Sequence, residues 1–165
     1  MAATQEDFRD AIANLATGVS IITTRVDGVP AGMTASAVAS LSMSPRLLLV
    51  CVDVNLATHE AIARGGRFAV NILPEGAEVV ALQFARPSAD KFARIRLREG
   101  FDDTPVLDDA LAYFVCDLRD RYPGGDHTIF VGEVMACGKN VSGKPLLYYN
   151  RRFGRLDGTA PALVT

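Results

Sequence analysis

The chain has 165 residues, 49% hydrophobic and 22% charged, a balance that builds one core in a single domain spanning 1–165 and excludes an intrinsically disordered chain. A net charge of −2 leaves no basic field for a phosphate backbone, which argues against nucleic-acid binding. No apolar run approaches the roughly 20 residues that span a bilayer, and the acidic opening through Asp7 is unlike a basic leader, so the expectation is a cytoplasmic protein with no membrane partner.

Thr4 is placed to cap a first helix, with Glu6 and Asp7 in the turn where the dipole favours negative charge and Phe8, Ala11, Ile12 and Leu15 at helical spacing. That stripe predicts a helix lying on a sheet and ending before Gly18. Val19 to Arg25 is rich in β-branched residues and leads to Asp27-Gly28, the strongest short-range hairpin signal. The return arm alternates: Met33, Ala35, Ala37, Ala39, Leu41 and Met43 hold odd positions, and Thr34, Ser36, Ser40, Ser42 and Ser44 hold even ones, with only Val38 out of step. This predicts one strand with an apolar face and a face of small hydroxyls. The hydroxyl face is either a Ser-rich edge strand facing water or a surface on which something flat lies close to the backbone. Pro45, with no N–H to donate, ends the ladder, and Leu47 to Val52 read as a strand buried on both sides.

Asn55 to Arg64 predicts a helix starting near Asn55 or Thr58 and stopping at Gly65-Gly66. Phe68 to Leu73 is a strand closed by Pro74. Glu75 to Ala85 predicts another helix, and Ser88 a short helical turn through Asp90, Lys91 and Phe92. Residues 95 to 109 are polar and broken by Gly100 and Pro105, which predicts a loop with a short strand at most. Leu111 to Leu118 and Thr128 to Ala136 form a hairpin about the turn Tyr122 to Asp126, and Leu146 to Tyr149 is a last short strand before a Gly/Pro-containing tail beyond Leu156. Six or seven strands with three helices make the chain mainly β, an antiparallel barrel rather than a doubly wound sheet. No Gly-x-Gly-x-x-Gly follows any strand. Cys51, Cys116 and Cys137, widely spaced in apolar strands, read as buried reduced thiols with neither a disulfide nor a metal.

Some polar groups stand where chemistry could sit. Asn71 interrupts an apolar strand, and its amide either holds a neighbouring loop or offers a donor and an acceptor to a ligand. The helix start near Thr58 supplies free N–H groups and a hydroxyl suited to a phosphate. His127, opening a strand after Gly125-Asp126, is either an edge residue or a hydrogen-bonding group at a pocket mouth. There is no Gly-x-Ser-x-Gly and no His-x-x-x-His, so an enzyme on this chain would rely on a bound cofactor.

In order and at their spacings, Gly18-Val-Ser-Ile-Ile-Thr-Thr24, Gly32-Met-Thr-Ala-Ser-Ala37, Ser42-Met-Ser-Pro45, Phe68-Ala-Val-Asn-Ile-Leu73, Asp90-Lys-Phe92, Gly125-Asp-His127 and Gly132-Glu-Val134 resemble the flavin reductase family. The nearest likeness is to the short NAD(P)H:flavin oxidoreductase components of two-component flavin monooxygenases, and it runs from about Phe8 to Leu156. The resemblance implies an FMN-binding split β-barrel, antiparallel and Greek-key-like. It also implies a homodimer with flavin near the interface, hydride transfer from NADH or NADPH to FMN or FAD, and a separate monooxygenase that receives the reduced flavin. Carried over by position, Met33, Thr34, Ala35, Ser36 and Ala37 would line the isoalloxazine ring, with Ser42, Met43 and Ser44 beside it. Cys51, Val52 and Asp53 would flank ring and ribityl chain, and Thr58 would meet the phosphate. Asn71, Gln83, Lys91 and Phe92 would contact the flavin or its phosphate arm. His127 would take the catalytic place over the ring where nicotinamide stacks, with Tyr148 and Arg152 or Phe153 nearby. Rival readings are a non-catalytic flavin-binding protein, a pyridoxamine-phosphate oxidase-like enzyme on the same fold, and a lipocalin-like carrier.

Overall fold

Thr4 opens the first element through a capping box: its hydroxyl oxygen accepts from the Asp7 N–H (3.1 Å), and the Asp7 carboxylate accepts from the Thr4 N–H (2.9 Å). The computed structural model describes residues 2–98, 101–140 and 143–158. From α1 (Gln5–Ile12) the chain runs through β1 (Thr17–Gly18), β2 (Ser20–Val26), β3 (Val29–Ala35), β4 (Val38–Met43), β5 (Arg46–Asp53), α2 (Ala57–Gly65) and β6 (Arg67–Ile72). It continues with α3 (Glu78–Ala85), β7 (Leu97–Arg98), β8 (Val106–Leu107), β9 (Ala112–Gly124), β10 (His127–Lys139), β11 (Leu147–Tyr149) and β12 (Arg152–Gly154).

Seven strands make one antiparallel sheet in the order β3-β2-β6-β9-β10-β5-β4. Its two edge strands, β3 and β4, are consecutive in the chain and separated only by Ser36 and Ala37. Two residues cannot bridge a flat seven-stranded sheet, so the sheet curls until its edges approach, which is the split barrel. The turns obey their residues. Asp27 and Gly28 both take positive φ (52° and 77°), as a tight hairpin between Val26 and Val29 requires, and Gly125 (φ 75°) turns β9 into β10 with Gly124 opposite His127.

The interior has two main parts, and β2 serves both. Ile22 enters the barrel core with Val50, Val52, Phe68, Val70, Phe130 and Ile62 of α2. Ile21, on the opposite face, joins Val19, Leu73, Ala81, Phe84 and Leu146 in a second core under α3.

Several expectations change. No residue of α1 is buried, and Phe8, Ile12 and Leu15 remain exposed, so the helix does not lie on a sheet. Helical spacing marks a face as apolar without saying what covers it. Residues 31–43 are two strands rather than one, because the pairing partner changes at Ser36-Ala37 from β2 to β5. A bulge between Ser40 and Ser42 then breaks the register, and Leu41 and Met43 end exposed, so the apolar positions of the alternation are not a buried face along its whole length. On β5, Leu48, Val50 and Val52 are buried, whereas Leu47, Leu49 and Cys51 on the other face are only half-buried. α3 begins at Glu78 rather than Glu75, and the segment after it is a series of turns rather than helix. The β9–β10 hairpin runs closer to its turn than predicted, and β1 and β12 are additions too short to show a period. All three cysteines are free, but only Cys116 is buried; Cys51 is half-buried and Cys137 exposed. The tail beyond residue 158 lies outside the described residues.

Candidate functional site

Three stretches border one cleft of about 500 Å³: Val29 to Thr34, the start of α2 from Asn55 to Thr58, and the end of α3 with the turns after it, Phe84 to Phe92. Gly32 lets β3 and α3 approach, since a Cβ there would meet the Phe84 ring at 2.8 Å. Thr34 ties the two elements together, its hydroxyl donating to Ala81 O (2.6 Å).

Lys91 is the one charged side chain among the described residues lining this cleft. Its ammonium donates to the carbonyls of Gly32 (3.0 Å) and Phe84 (2.9 Å), which uses two of three donors. Burial holds its pKa below the ordinary lysine value of 10.5. Gln83 fixes the backbone that carries it, Nε2 donating to Lys91 O (2.7 Å) and Ala93 O (3.1 Å). At the same cleft α2 begins on Leu56, an N-cap without a side-chain oxygen for the first-turn N–H groups, and Thr58 is the second helical residue. A cation with a donor to spare beside an uncapped helix start fits a phosphate. Much of the remaining wall is apolar, with Pro30, Met33, Pro87 and Phe92, whose ring meets Phe84 edge-on at 5.1 Å, and it suits a planar ring. The residues present therefore fit a phosphate-bearing flavin.

The other expected positions divide. Ser36, Ala37 and Tyr148 line a second groove of about 1120 Å³ between α1 and β11, and Ala35 is buried. Cys51 donates its N–H to Ala37 O (3.0 Å), so Cys51, Val52 and Asp53 run beside that groove's rim, with the Val52 side chain inside the barrel. The Asp53 carboxylate accepts from the Asn55 N–H (2.8 Å) and Nδ2 (2.9 Å), which hold its pKa below the usual carboxylate value, with smaller help from His127 and His59. His127 stands opposite Asp53 across the β5–β10 pair. Its Nδ1 pairs with Asp126 Oδ1 (2.7 Å), and the half-exposed ring lines neither cavity. Arg152 and Phe153 lie on β12, the latter edge-on to Tyr148 at 5.8 Å. Ser42, Met43 and Ser44 sit at the opposite end of β5, about 20 Å along the strand from Asp53, so one protomer does not bring them to the cleft.

Asn71 is a correction. Its Nδ2 donates to Ile21 O (3.0 Å) and Thr23 Oγ1 (3.1 Å), its Oδ1 accepts from the Leu107 N–H (2.9 Å), and the residue is wholly buried. Of the two roles open to it, it takes the loop-holding one. Conversely Pro30, Leu56, Phe84 and Pro87 enter the cleft without any motif to mark them; the only signal is adjacency to Lys91 and Thr58.

Known proteins share this frame. The family described as flavin reductase like domain matches residues 12–157. Over 148 residues the chain is 44% identical to the reductase component of 4-nitrophenol 4-monooxygenase/4-nitrocatechol 2-monooxygenase from Rhodococcus opacus, covering 90% of this chain and 79% of the relative. The crystal structure of a nitrilotriacetate monooxygenase component B homologue from Mycobacterium thermoresistibile superposes with a TM-score of 0.92 at 34% identity, covering 98% of this chain and 92% of that one. The NADH:FAD oxidoreductase SgcE6 of Streptomyces globisporus, solved with NAD and FAD fragments, gives 0.90 at 33% identity and covers 95% of each chain.

Two substitutions separate binding from support. Lys91→Met is expected to weaken FMN by about tenfold, near 1.4 kcal/mol, while riboflavin, which has no phosphate, shifts by less than about twofold in fluorescence titrations. Raising the pH removes the Lys91 proton earlier than from a solvated lysine, so the wild-type advantage of FMN over riboflavin should shrink at alkaline pH. Asn71→Leu strands the buried Leu107 N–H and should lower stability by about 1–3 kcal/mol in urea titrations, with FMN affinity of the folded protein unaltered.

Proposed function

This chain belongs to the flavin reductase-like domain family, and from that premise we propose that it oxidises NADH or NADPH, reduces FMN or FAD, and releases the reduced flavin to a separate monooxygenase. The observation that carries this reading is the cleft in which a half-desolvated Lys91 and the uncapped start of α2 adjoin an apolar wall. Bound flavin supplies the hydride acceptor and the nicotinamide the donor, so the chain needs no nucleophile of its own. Its residues bind and orient. Lys91, Thr58 and the first amides of α2 hold the phosphate, Gln83 keeps Lys91 in place, and Met33 and Phe92 wall the ring. Ser36 and Ala37 line the second groove with Tyr148, and Cys51 and Asp53 run beside its rim. His127, its Nδ1 occupied by Asp126, offers Nε2 to the nicotinamide carboxamide.

A pyridoxamine-phosphate oxidase-like enzyme would need a cluster of basic groups about its phosphate, and one lysine lines the cleft here. The working unit in this reading is a homodimer. The uncovered Phe8 and Ile12 of α1, Leu15 just after it, and Leu41 and Met43 of β4 support it, being large apolar side chains that a second copy would remove from water. Among the described residues no helix is long and apolar enough to cross a membrane.

Purified protein mixed with NADH or NADPH should consume the nucleotide only when FMN, FAD or riboflavin is added, and a protein inert with every pairing would overturn the reading. His127→Ala should lower kcat/KM for the nicotinamide by about tenfold with flavin Kd within about twofold, as expected of a group that meets one substrate and not the other. Sedimentation equilibrium should return twice the chain mass, and Phe8→Glu combined with Met43→Glu should shift it towards one.

A further inference from the structure

His59 has no part in the reading above, yet it lies between two of its groups. It follows Thr58 in the first turn of α2, and its Nε2 shares a hydrogen bond with Thr128 Oγ1 at 2.8 Å. Thr128 directly follows His127 in β10. The imidazole also packs on Phe130, with centroids 5.1 Å apart and planes at 54°. Thr128 and Phe130 are two apart on the strand and so share its inward face, whereas His127 lies on the other face, opposite Asp53. One side chain thus joins the helix that opens at the cleft to the inner face of the strand that begins with His127. The β5 and β9 ladders pair the backbone of His127 and Thr128, and a further backbone bond, Val54 N–H to Asp126 O at 3.1 Å, acts on the turn; neither holds the strand's inner face to α2 as the His59 side chain does.

We propose that His59 is a positioning residue, which locks the first residues of β10 against α2 through Thr128 and so sets where His127 stands relative to the phosphate end of the cleft. The proposal rests on the roles given above to His127 and Lys91. Any rotation of β10 about its own axis moves both of its faces together, so a support on Thr128 is also a support on the His127 imidazole.

The test is steady-state kinetics with NADH and FMN for the wild type, His59→Ala, His59→Gln, Thr128→Val and the doubles, alongside FMN Kd by fluorescence quenching and urea midpoints. His59→Ala and Thr128→Val should each lower kcat/KM for NADH by about tenfold, since small misplacements near a reacting pair have effects of that size or larger. The His59→Ala/Thr128→Val double should fall no further than either single variant, because the two groups act as one pair. Glutamine, whose amide can donate or accept at the hydroxyl, should restore most of the loss, and the rescue should vanish when Thr128 is Val. FMN Kd should stay within about twofold throughout. The proposal is overturned if His59→Ala keeps kcat/KM within about twofold of wild type, if the two substitutions add, or if FMN affinity and NADH turnover fall together with the urea midpoint, which is the mark of mere support for the helix. A wild type that consumes no NADH with any flavin overturns the proposed function itself; a working wild type with indifferent variants overturns only the role of His59.

Discussion

Antiparallel pairing of β5 with β10 is the constraint from which the functional geometry follows. Its last rung sets Asp53 opposite His127, and at that rung the chain leaves β5 to begin α2. The imidazole, the acidic strand end and the electropositive helix start are therefore not brought together by long loops that would have to be ordered separately. They are neighbours because one ladder ends there. The ladder fixes which residues meet, and at its open end, next to the β9–β10 turn, the His59–Thr128 and Val54–Asp126 hydrogen bonds complete the corner.

The cleft is built on a different logic. Among the described residues no ion pair fixes Lys91; two main-chain carbonyls do, and they come from β3 and from the end of α3. The ammonium is thereby a clasp between two elements as well as a charge at the site. Neutral partners leave its charge uncompensated, which is what an incoming phosphate would answer, and burial holds its pKa below the ordinary lysine value.

Much of this was legible from residue order. Thr4 with Asp7, Asp27-Gly28, the junction from Met43 to Arg46 and Gly125 before His127 each have a local chemistry that needs no tertiary context, and each forms where that chemistry places it. What could not be read was anything decided by a distant partner. The alternation from 31 to 43 is continuous in sequence, but its strand changes neighbour halfway, and no local pattern reports that exchange. Asn71 shows the same limit from the other side, since an amide that holds Leu107 N–H and one that faces a ligand look identical in a string of letters. His59 escaped notice because a lone histidine on an amphipathic helix has no motif. Its meaning depends on Thr128, which is 69 residues away.

The clasp at Lys91 has one more consequence. A lysine free in solvent explores many rotamers and would surrender roughly 1.5–2 kcal/mol of side-chain entropy on being immobilised. Here that freedom is given up when the barrel closes, before any visitor arrives. A phosphate reaching the cleft meets a donor already aimed and still, so little of its attraction is consumed in disciplining a wandering side chain. In the proposed cycle of loading and releasing flavin, such a site favours quick capture without demanding a tight grip.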